Sequence, residues 1–100
     1  MREDLSPPQQ SVQSIHATIE AIKVFDFDSL PDHPYVVLLA AKNEQRLHRA
    51  HEYLVENGVQ HACFYESDLG HELTAVATEP ICDGERRKLF LKYQLLKGGK

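Results

Sequence analysis

Two amides and one imidazole recur along the first predicted helix. Gln9, Gln13 and His16 stand at positions i, i+4 and i+7, so they fall on one side of that helix. Such a row, at the expected border between core and solvent, could line a pocket and donate hydrogen bonds to a ligand. The alternative is structural: Gln9 completes a helix cap, Gln13 is solvated, and His16 bonds a carbonyl at the core edge. Spacing alone favours the structural alternative.

A polar loop follows the second predicted strand. Residues 66–72 read ESDLGHE, and the carboxyl end of a strand is where open α/β sheets bind ligands. Asp68 could act there as a general base or orient a water molecule, with His71 assisting. The alternative is that the Asp-x-Gly sequence only forms a turn.

A helix and the strand after it carry three histidines and a cysteine. His48 and His51 are three apart on the helix, and His61 and Cys63 share one face of the strand. These four could meet around a metal ion, because imidazole and thiolate are zinc ligands. However, His51 falls inside the apolar stripe of its helix, and helix–strand packing does not ensure convergence. We therefore expect no metal and an inert, buried Cys63.

Cofactor motifs are missing from the sequence. It has no Gly-x-Ser-x-Gly elbow, no phosphate-binding glycine-rich loop and no dinucleotide fingerprint. The two cysteines, Cys63 and Cys82, fit neither a zinc motif nor a disulfide framework, so we expect both to be reduced. No cofactor is expected.

The first helix has a strong start signal. Ser6 and Gln9 form a capping-box pattern, and Pro7 takes the first helical position. Four apolar residues then recur at helical spacing and form one stripe beside the polar row: Val12, Ile15, Ile19 and Ile22. This helix should end between residues 23 and 25.

The rest of the chain predicts strands around a second helix. An apolar run at 35–40 (YVVLLA) is typical of a buried strand, and Asn43 caps a helix that buries Leu47, Ala50 and Leu54. Gly58 ends that helix, and strands follow at 59–65 and 73–78. Asp83 caps a short helix, and 93–96 is either helix or edge strand. The predicted fold is a small three-layer α/β domain: a mixed sheet of about three to four strands flanked by helices, containing a right-handed strand–helix–strand unit.

Length and charge limit the classes of function. One hundred residues form a single domain, 1–100, and a net charge of −4 opposes nonspecific binding to nucleic acid. No apolar run approaches the ~20 residues that cross a bilayer, and the N-terminus is not a secretory signal. We expect a cytoplasmic protein without a membrane partner. A basic segment is either a solvated helix face or a phosphate-contacting patch: Arg86, Arg87, Lys88, Lys92, Lys97 and Lys100.

Taken in order, these segments resemble the type 2 peptidyl-tRNA hydrolase family, the archaeal and eukaryotic kind with its shorter bacterial relatives. REDL at 2–5 is similar to the family's Arg-x-Asp-Leu, and SVQSIHA at 11–17 to its Ala-Ala-Gln-x-x-His-Ala helix. Asp68-Leu69-Gly70 is similar to its Asp-Ala-Gly loop. Further similar segments lie at 35–42, 44–47, 74–77 and 93–96. The resemblance covers nearly the whole chain, which begins at the end of the family's first strand, so that only residues 1–4 of that strand remain.

The resemblance implies a four-stranded mixed sheet and hydrolysis of the ester that joins a peptide to its tRNA. By the same comparison, Asp68, His16 and Gln13 are the catalytic candidates. Gln9, which stands where the family has a lysine, and Arg2 are the substrate-binding candidates. The expected partner is tRNA or peptidyl-tRNA, and a homodimer is compatible with the sequence. The alternative is a catalytically inactive member of the fold that serves as a binding or regulatory module.

Overall fold

A computed structural model describes residues 1–28, 37–67 and 70–96. The elements follow in the order α1 (Pro7–Val24), α2 (Glu44–Glu56), β1 (His61–Glu66), β2 (Glu72–Thr78) and α3 (Gly84–Arg87), and a 3-10 turn at Lys88–Phe90 continues α3. Of the helices in these three ranges, none combines the length and apolar character needed to cross a membrane.

Helix α1 begins as the sequence predicts. The Ser6 hydroxyl accepts a hydrogen bond from the Gln9 backbone N–H, and the Gln9 side-chain oxygen accepts one from the Ser6 N–H, both at 3.4 Å. The helix ends at Val24, inside the predicted interval. Local capping chemistry therefore fixes the start of α1, and its end also follows from the sequence.

The apolar stripe of α1 does not face the core, contrary to expectation. Val12, Ile15, Ile19 and Ile22 are 45–60% exposed, whereas the buried residues are Gln10, Gln13, Ala17 and Ala21. The alanines let the helix approach the β-hairpin closely. The Gln13 amide bonds to the hairpin, and the Gln10 amide donates to the Glu3 and Leu5 carbonyls of the N-terminal segment. Small size and partnered amides thus outweigh the apolar pattern in choosing the buried face.

Helix α2 is buried on its predicted face and ends in a Schellman motif. Leu47 and Leu54 are 3% and 4% exposed. Gly58, at φ +70°, donates its N–H to the Val55 carbonyl, and the Val59 N–H donates to the Leu54 carbonyl. The chain thereby reverses directly into β1.

Strands β1 and β2 form an antiparallel hairpin with one bulge. Phe64 pairs with Ala75 and Tyr65 with Leu73, so Thr74 has no partner residue in β1. Helix α1 packs on both strands, and α2 packs mainly on β2. A core cluster of Ala41, Leu47 and Leu73, joined by Cys63 and Val76, lies between α2 and the hairpin.

The larger mixed sheet and the strand–helix–strand unit are not confirmed. Within the described ranges the sheet has two strands, and these are antiparallel. Of the strand predicted at 35–40, residues 35 and 36 lie outside the described part. The remainder forms no strand of the hairpin sheet but makes an isolated antiparallel bridge from Leu39 to Leu95, flanked by backbone hydrogen bonds from Ala40 to Gln94 and from Leu96 to Leu38. Arg2 makes a parallel bridge to Ala41. The extended pairing of Leu95 favours the edge-strand alternative for 93–96.

Candidate functional site

Gln13 joins α1 to both strands of the hairpin. Its amide Nε2 donates to Glu66 Oε2 at 2.9 Å, and its Oε1 accepts from the Thr74 hydroxyl at 2.8 Å. Gln13 is 3% exposed and Thr74 is fully buried. The amide is therefore fixed in place, which excludes the solvated alternative for this residue.

His16 lies one turn further along α1, over the same strand. Its ring stacks on Phe64 with the centroids 4.6 Å apart and the planes 7° from parallel. Phe64 and Glu66 are two positions apart on β1, so their side chains share one face of the strand. The His16 and Gln13 contacts therefore both lie on the α1 side of the hairpin. A face-on stack leaves the ring nitrogens of His16 at the ring edge, where they can bind a ligand.

Gln9 and Arg2, the predicted substrate-binding residues, both make hydrogen bonds within the protein. Gln9 is exposed and acts in the helix cap. Arg2 is 6% exposed and makes a two-point ion pair with Asp4, at 2.9 and 2.7 Å. It also contacts Glu72 at 2.7 Å and the Leu73 carbonyl. Arg2 thereby ties the N-terminal segment to the start of β2.

The ion pair shifts the titration of both partners. Hydrogen bonds from the guanidinium hold the pKa of Asp4 below its ordinary value, although partial burial opposes this shift. The hydrogen bonds that Arg2 donates, first to Asp4 and then to Glu72, raise the pKa of Arg2, and burial opposes this rise. Arg2 stays charged in the folded protein.

Asp68, the predicted general base, lies outside the described residues, as does Leu69. On either side of them the chain closes a turn: the Gly70 N–H donates to the Ser67 carbonyl, and the His71 N–H donates to that of Glu66. Gly70 and His71 both have positive φ, +73° and +62°. His71 itself is exposed.

Sequence reasoning missed three polar residues around this site. Gln10 is buried and donates to the Leu5 carbonyl at 2.8 Å, while its own Oε1 accepts no hydrogen bond from any residue the structure describes. Glu66 and Thr74 hold the Gln13 amide. Two features of the sequence indicate these residues: Gln10 and Gln13 are three apart and share a helix face, and Phe64 and Glu66 are two apart and share a strand face.

A second polar cluster lies on the opposite face of β1. His51 Nδ1 is 2.6 Å from His61 Nε2 and 3.4 Å from Cys63 Sγ. All three side chains are half-buried. His48 is outside this cluster and lies 3.5 Å from Glu44 Oε2. Three of the four candidate metal ligands therefore converge, because His51 continues the buried face of α2 between Leu47 and Leu54.

Burial shifts the pKa values of His51 and Cys63 in this cluster. It lowers the pKa of His51, with a further contribution from the neighbouring His61, and it raises the pKa of the Cys63 thiol. Both cysteines are free thiols, and Cys82 is exposed.

Most of the described cations near the C-terminus have local partners. Arg86 pairs with Glu79 at 2.6 Å, and Lys88 lies 3.4 Å from Glu85. Lys92 sits over the Tyr53 ring, 3.4 Å from its centroid. Lys97 and Lys100 fall outside the described residues. These contacts favour the solvated-face interpretation of the basic segment over a phosphate-binding patch.

No protein-family model matches the chain, and comparisons with curated proteins and with solved structures give no significant match. The similarity to type 2 peptidyl-tRNA hydrolases therefore rests on the sequence segments quoted above.

Proposed function

We propose that the protein is a hydrolase of peptidyl-tRNA or a similar ester and works in the cytoplasm. The observation that supports this most is the contact between the α1 polar row and the end of β1, through the Gln13–Glu66 hydrogen bond and the His16–Phe64 stack. Asp68 follows Glu66 by two positions, so covalent geometry limits their Cα separation to about 7 Å. This limit keeps Asp68 near the end of β1, and the proposal requires its carboxylate to reach the same ligand as the His16 imidazole.

The proposed chemistry is base-assisted ester hydrolysis. Asp68 accepts a proton from a water molecule as its oxygen attacks the ester carbonyl carbon. A donor such as the His16 imidazole stabilises the oxyanion that forms. The bond between the carbonyl carbon and the ribose oxygen then breaks, the ribose oxygen takes the proton held by Asp68, and the peptide leaves with a free carboxyl group.

The remaining candidates have supporting roles in this proposal. Gln13 is a positioning residue, because its amide holds the strand end that leads into the loop. Arg2 acts in the same way on the far side of the loop, through its ion pair with Glu72. Gln9, at the exposed start of α1, is the residue of this set that can touch a tRNA substrate.

The bridges outside the hairpin support the larger sheet that the family resemblance implies. Residues 1–3 run beside Ala41, whose carbonyl accepts from the Glu3 N–H at 2.8 Å, and the Leu96 N–H donates to the Leu38 carbonyl at 2.9 Å. We propose that these segments are the short central and edge strands of a mixed sheet.

A hydrolysis assay with peptidyl-tRNA tests the proposal. We expect the wild-type protein to release free tRNA. Asp68→Asn should lower the rate by about 10²–10⁴-fold, the usual contribution of a general base, and His16→Phe by about 10²–10³-fold, the usual contribution of one oxyanion donor. Phenylalanine at position 16 keeps the ring stack on Phe64, so the variant isolates the imidazole nitrogens.

Asp28→Asn is the matched control, because Asp28 is an exposed carboxylate beyond the far end of α1. It should hydrolyse the substrate at the wild-type rate. Full activity in Asp68→Asn would overturn the assignment of the base.

One observation favours a second candidate, a binding module that self-associates. The stripe of Val12, Ile15, Ile19 and Ile22 is exposed along three turns of α1, and the same stripe on a second copy of this chain can cover it in an antiparallel, two-fold pair. This candidate predicts a dimer by light scattering that Ile15→Lys converts to monomer, with no hydrolysis by the wild type. A monomeric wild-type protein at high concentration would exclude it.

A further inference from the structure

The cluster of His51, His61 and Cys63 has the composition of a zinc site. The three possible ligand atoms lie within 4.8 Å of one another. Tetrahedral zinc has bonds of about 2.0–2.1 Å to nitrogen and about 2.3 Å to sulfur, which separates its ligand atoms by roughly 3.5 Å. The Cys63–His51 separation of 3.4 Å already has this value.

The orientation of His61 is set by the backbone. Its Nδ1 lies 2.8 Å from the Val59 carbonyl oxygen, to which it can only donate. This bond leaves the Nε2 lone pair directed into the cluster. A carbonyl that fixes the tautomer of a ligating histidine in this way is a regular feature of metal sites.

The two imidazoles are so close that, when no ion is present, one of the facing nitrogens must donate a hydrogen bond to the other. Because His61 Nε2 is the acceptor, His51 Nδ1 carries the hydrogen in the 2.6 Å contact. A metal ion can take the place of this proton. His51 then shifts its hydrogen to Nε2, and the two ring nitrogens must move apart by roughly 1 Å to reach the separation of zinc ligands.

We propose that His51, His61 and Cys63 bind one Zn²⁺ ion, with water in the fourth coordination position. Three protein ligands and one open position are the arrangement of zinc sites that bind a further small ligand or activate water. Binding releases the Cys63 thiol proton to solvent, because the thiolate is the ligand, while His51 only changes tautomer.

This site is independent of the proposed hydrolase site. His61 and Cys63 point from β1 towards α2, whereas Phe64 and Glu66 point towards α1. Zinc bound to these residues therefore crosslinks α2 to β1, on the side of the hairpin that carries the core cluster. It should stabilise the folded chain whether or not the protein hydrolyses an ester.

Titration of the full chain with metal alone tests the proposal. After treatment with a chelator, we expect one equivalent of Co²⁺ to give a thiolate-to-cobalt absorption band and the d–d bands of tetrahedral cobalt, and Zn²⁺ to displace it. With free Zn²⁺ at about 100 times its dissociation constant, the midpoint of thermal unfolding should rise by roughly 10–20 °C.

Matched variants identify the ligands. Cys63→Ser should abolish the thiolate band, and His51→Ala or His61→Ala should weaken Zn²⁺ binding by about 100-fold or more. Cys82→Ser and His48→Ala, which change the same residue types outside the cluster, should bind as the wild type does. Loss of binding in either control, or a thiolate band that survives Cys63→Ser, would overturn the assignment.

An experiment on the wild type needs no variant to fold. Zn²⁺ should slow alkylation of Cys63 by iodoacetamide about ten-fold or more, because the ion holds the thiolate, and leave Cys82 in the same molecules unchanged. Mass spectrometry of peptides measures both rates. Equal rates at Cys63 with and without Zn²⁺, or absence of the cobalt bands from the folded wild-type protein, would refute the site.

Discussion

At the scale of single residues, one amide connects three elements of the molecule. Gln13 receives a hydrogen bond from the bulged Thr74 of β2 and donates one to Glu66 at the end of β1. A buried amide is costly without partners, and here both ends are satisfied. The same side chain therefore stabilises the helix–hairpin contact and sets the end of the strand before the Asp68 loop.

We predict that Gln13→Leu lowers the free energy of unfolding by about 2 kcal/mol, because Glu66 Oε2 loses the bond from the buried amide and the Thr74 hydroxyl keeps only its longer bond, 3.3 Å, to the Phe64 carbonyl. Gln45→Leu, the same change at an exposed position of α2, should alter it by less than about 0.5 kcal/mol. Urea unfolding measures both. The double variant Gln13→Leu/Thr74→Val should be more stable than the sum of the single changes predicts, by about 0.5 kcal/mol or more. Strict additivity would show that the two side chains are not coupled.

The Arg2–Asp4 pair makes stability depend on pH. The pKa of Asp4 is depressed in the folded state from its ordinary value of 3.8, so the unfolded chain binds the proton more readily than the folded one. The stabilisation is present above about pH 4 and is lost as the pH falls through the lower, folded pKa. Because Asp4 is partly solvated, we expect about 1 kcal/mol.

Asp4→Asn should therefore lower the free energy of unfolding at pH 7 by about 1 kcal/mol and flatten its decline below about pH 4. Thermal or urea unfolding at several pH values measures this. Asp28→Asn, at an exposed carboxylate, should keep the wild-type pH profile. An Asp4→Asn profile as steep as that of the wild type would assign the acid sensitivity to other carboxylates.

At the scale of elements, the end of α2 determines where β1 begins. The Schellman motif at Gly58 buries Val59 against the last turn of the helix, since Val59 and Leu54 are 2% and 4% exposed. Two residues later, His61 faces His51. A left-handed residue at 58 is thus needed to bring the helix and strand parts of the His/Cys cluster together.

We predict that Gly58→Ala destabilises the fold by about 1 kcal/mol, because alanine is strained at positive φ. The position is otherwise open, since a Cβ added at Gly58 would have no neighbouring atom within 4 Å, so steric clash does not add to the loss. Gly58→Asn should cost less, because asparagine tolerates this conformation. Chemical denaturation compares the two, and equal losses would contradict a cause in backbone strain.

Sequence predicted the elements better than their arrangement. The start of α1 and both ends of α2 follow from caps at Ser6, Asn43 and Gly58, which act over a few residues. The contacts between the hairpin and the helices join distant segments, and the pattern of α1 does not say which side the hairpin occupies. The prediction that the apolar stripe faces the core is therefore wrong. For the candidate site, Gln13 and His16 were found from spacing, but the contact with Thr74 depends on the bulge.

At the scale of the whole molecule, the helices lie on opposite faces of a thin hairpin. A two-stranded hairpin is marginal alone in water, so its stability depends on being covered from both sides. Leu73 is fully buried at the centre of the α2-side core, with Ala41 and Leu47. Few other large side chains among the described residues are buried, and the loss of one is a large fraction of the available core.

Leu73→Ala should lower the free energy of unfolding by about 2–5 kcal/mol, through lost burial and a residual cavity. Leu91→Ala, at a side chain that is 80% exposed, should change it by less than about 0.5 kcal/mol. Calorimetry or urea unfolding distinguishes the two. A small effect at Leu73 would mean that the α2-side core can collapse around the missing side chain.

The alternation of side chains along β1 also limits how this protein can evolve. His61 and Cys63 serve the α2 layer, and Phe64 and Glu66 serve the α1 layer, so substitutions can tune either layer alone. A one-residue insertion or deletion within the strand would instead reverse the facing of every residue on one side of it, turning Glu66 away from Gln13 or Cys63 away from His51. Descendants of this chain should therefore vary in residue type along β1 while keeping its length.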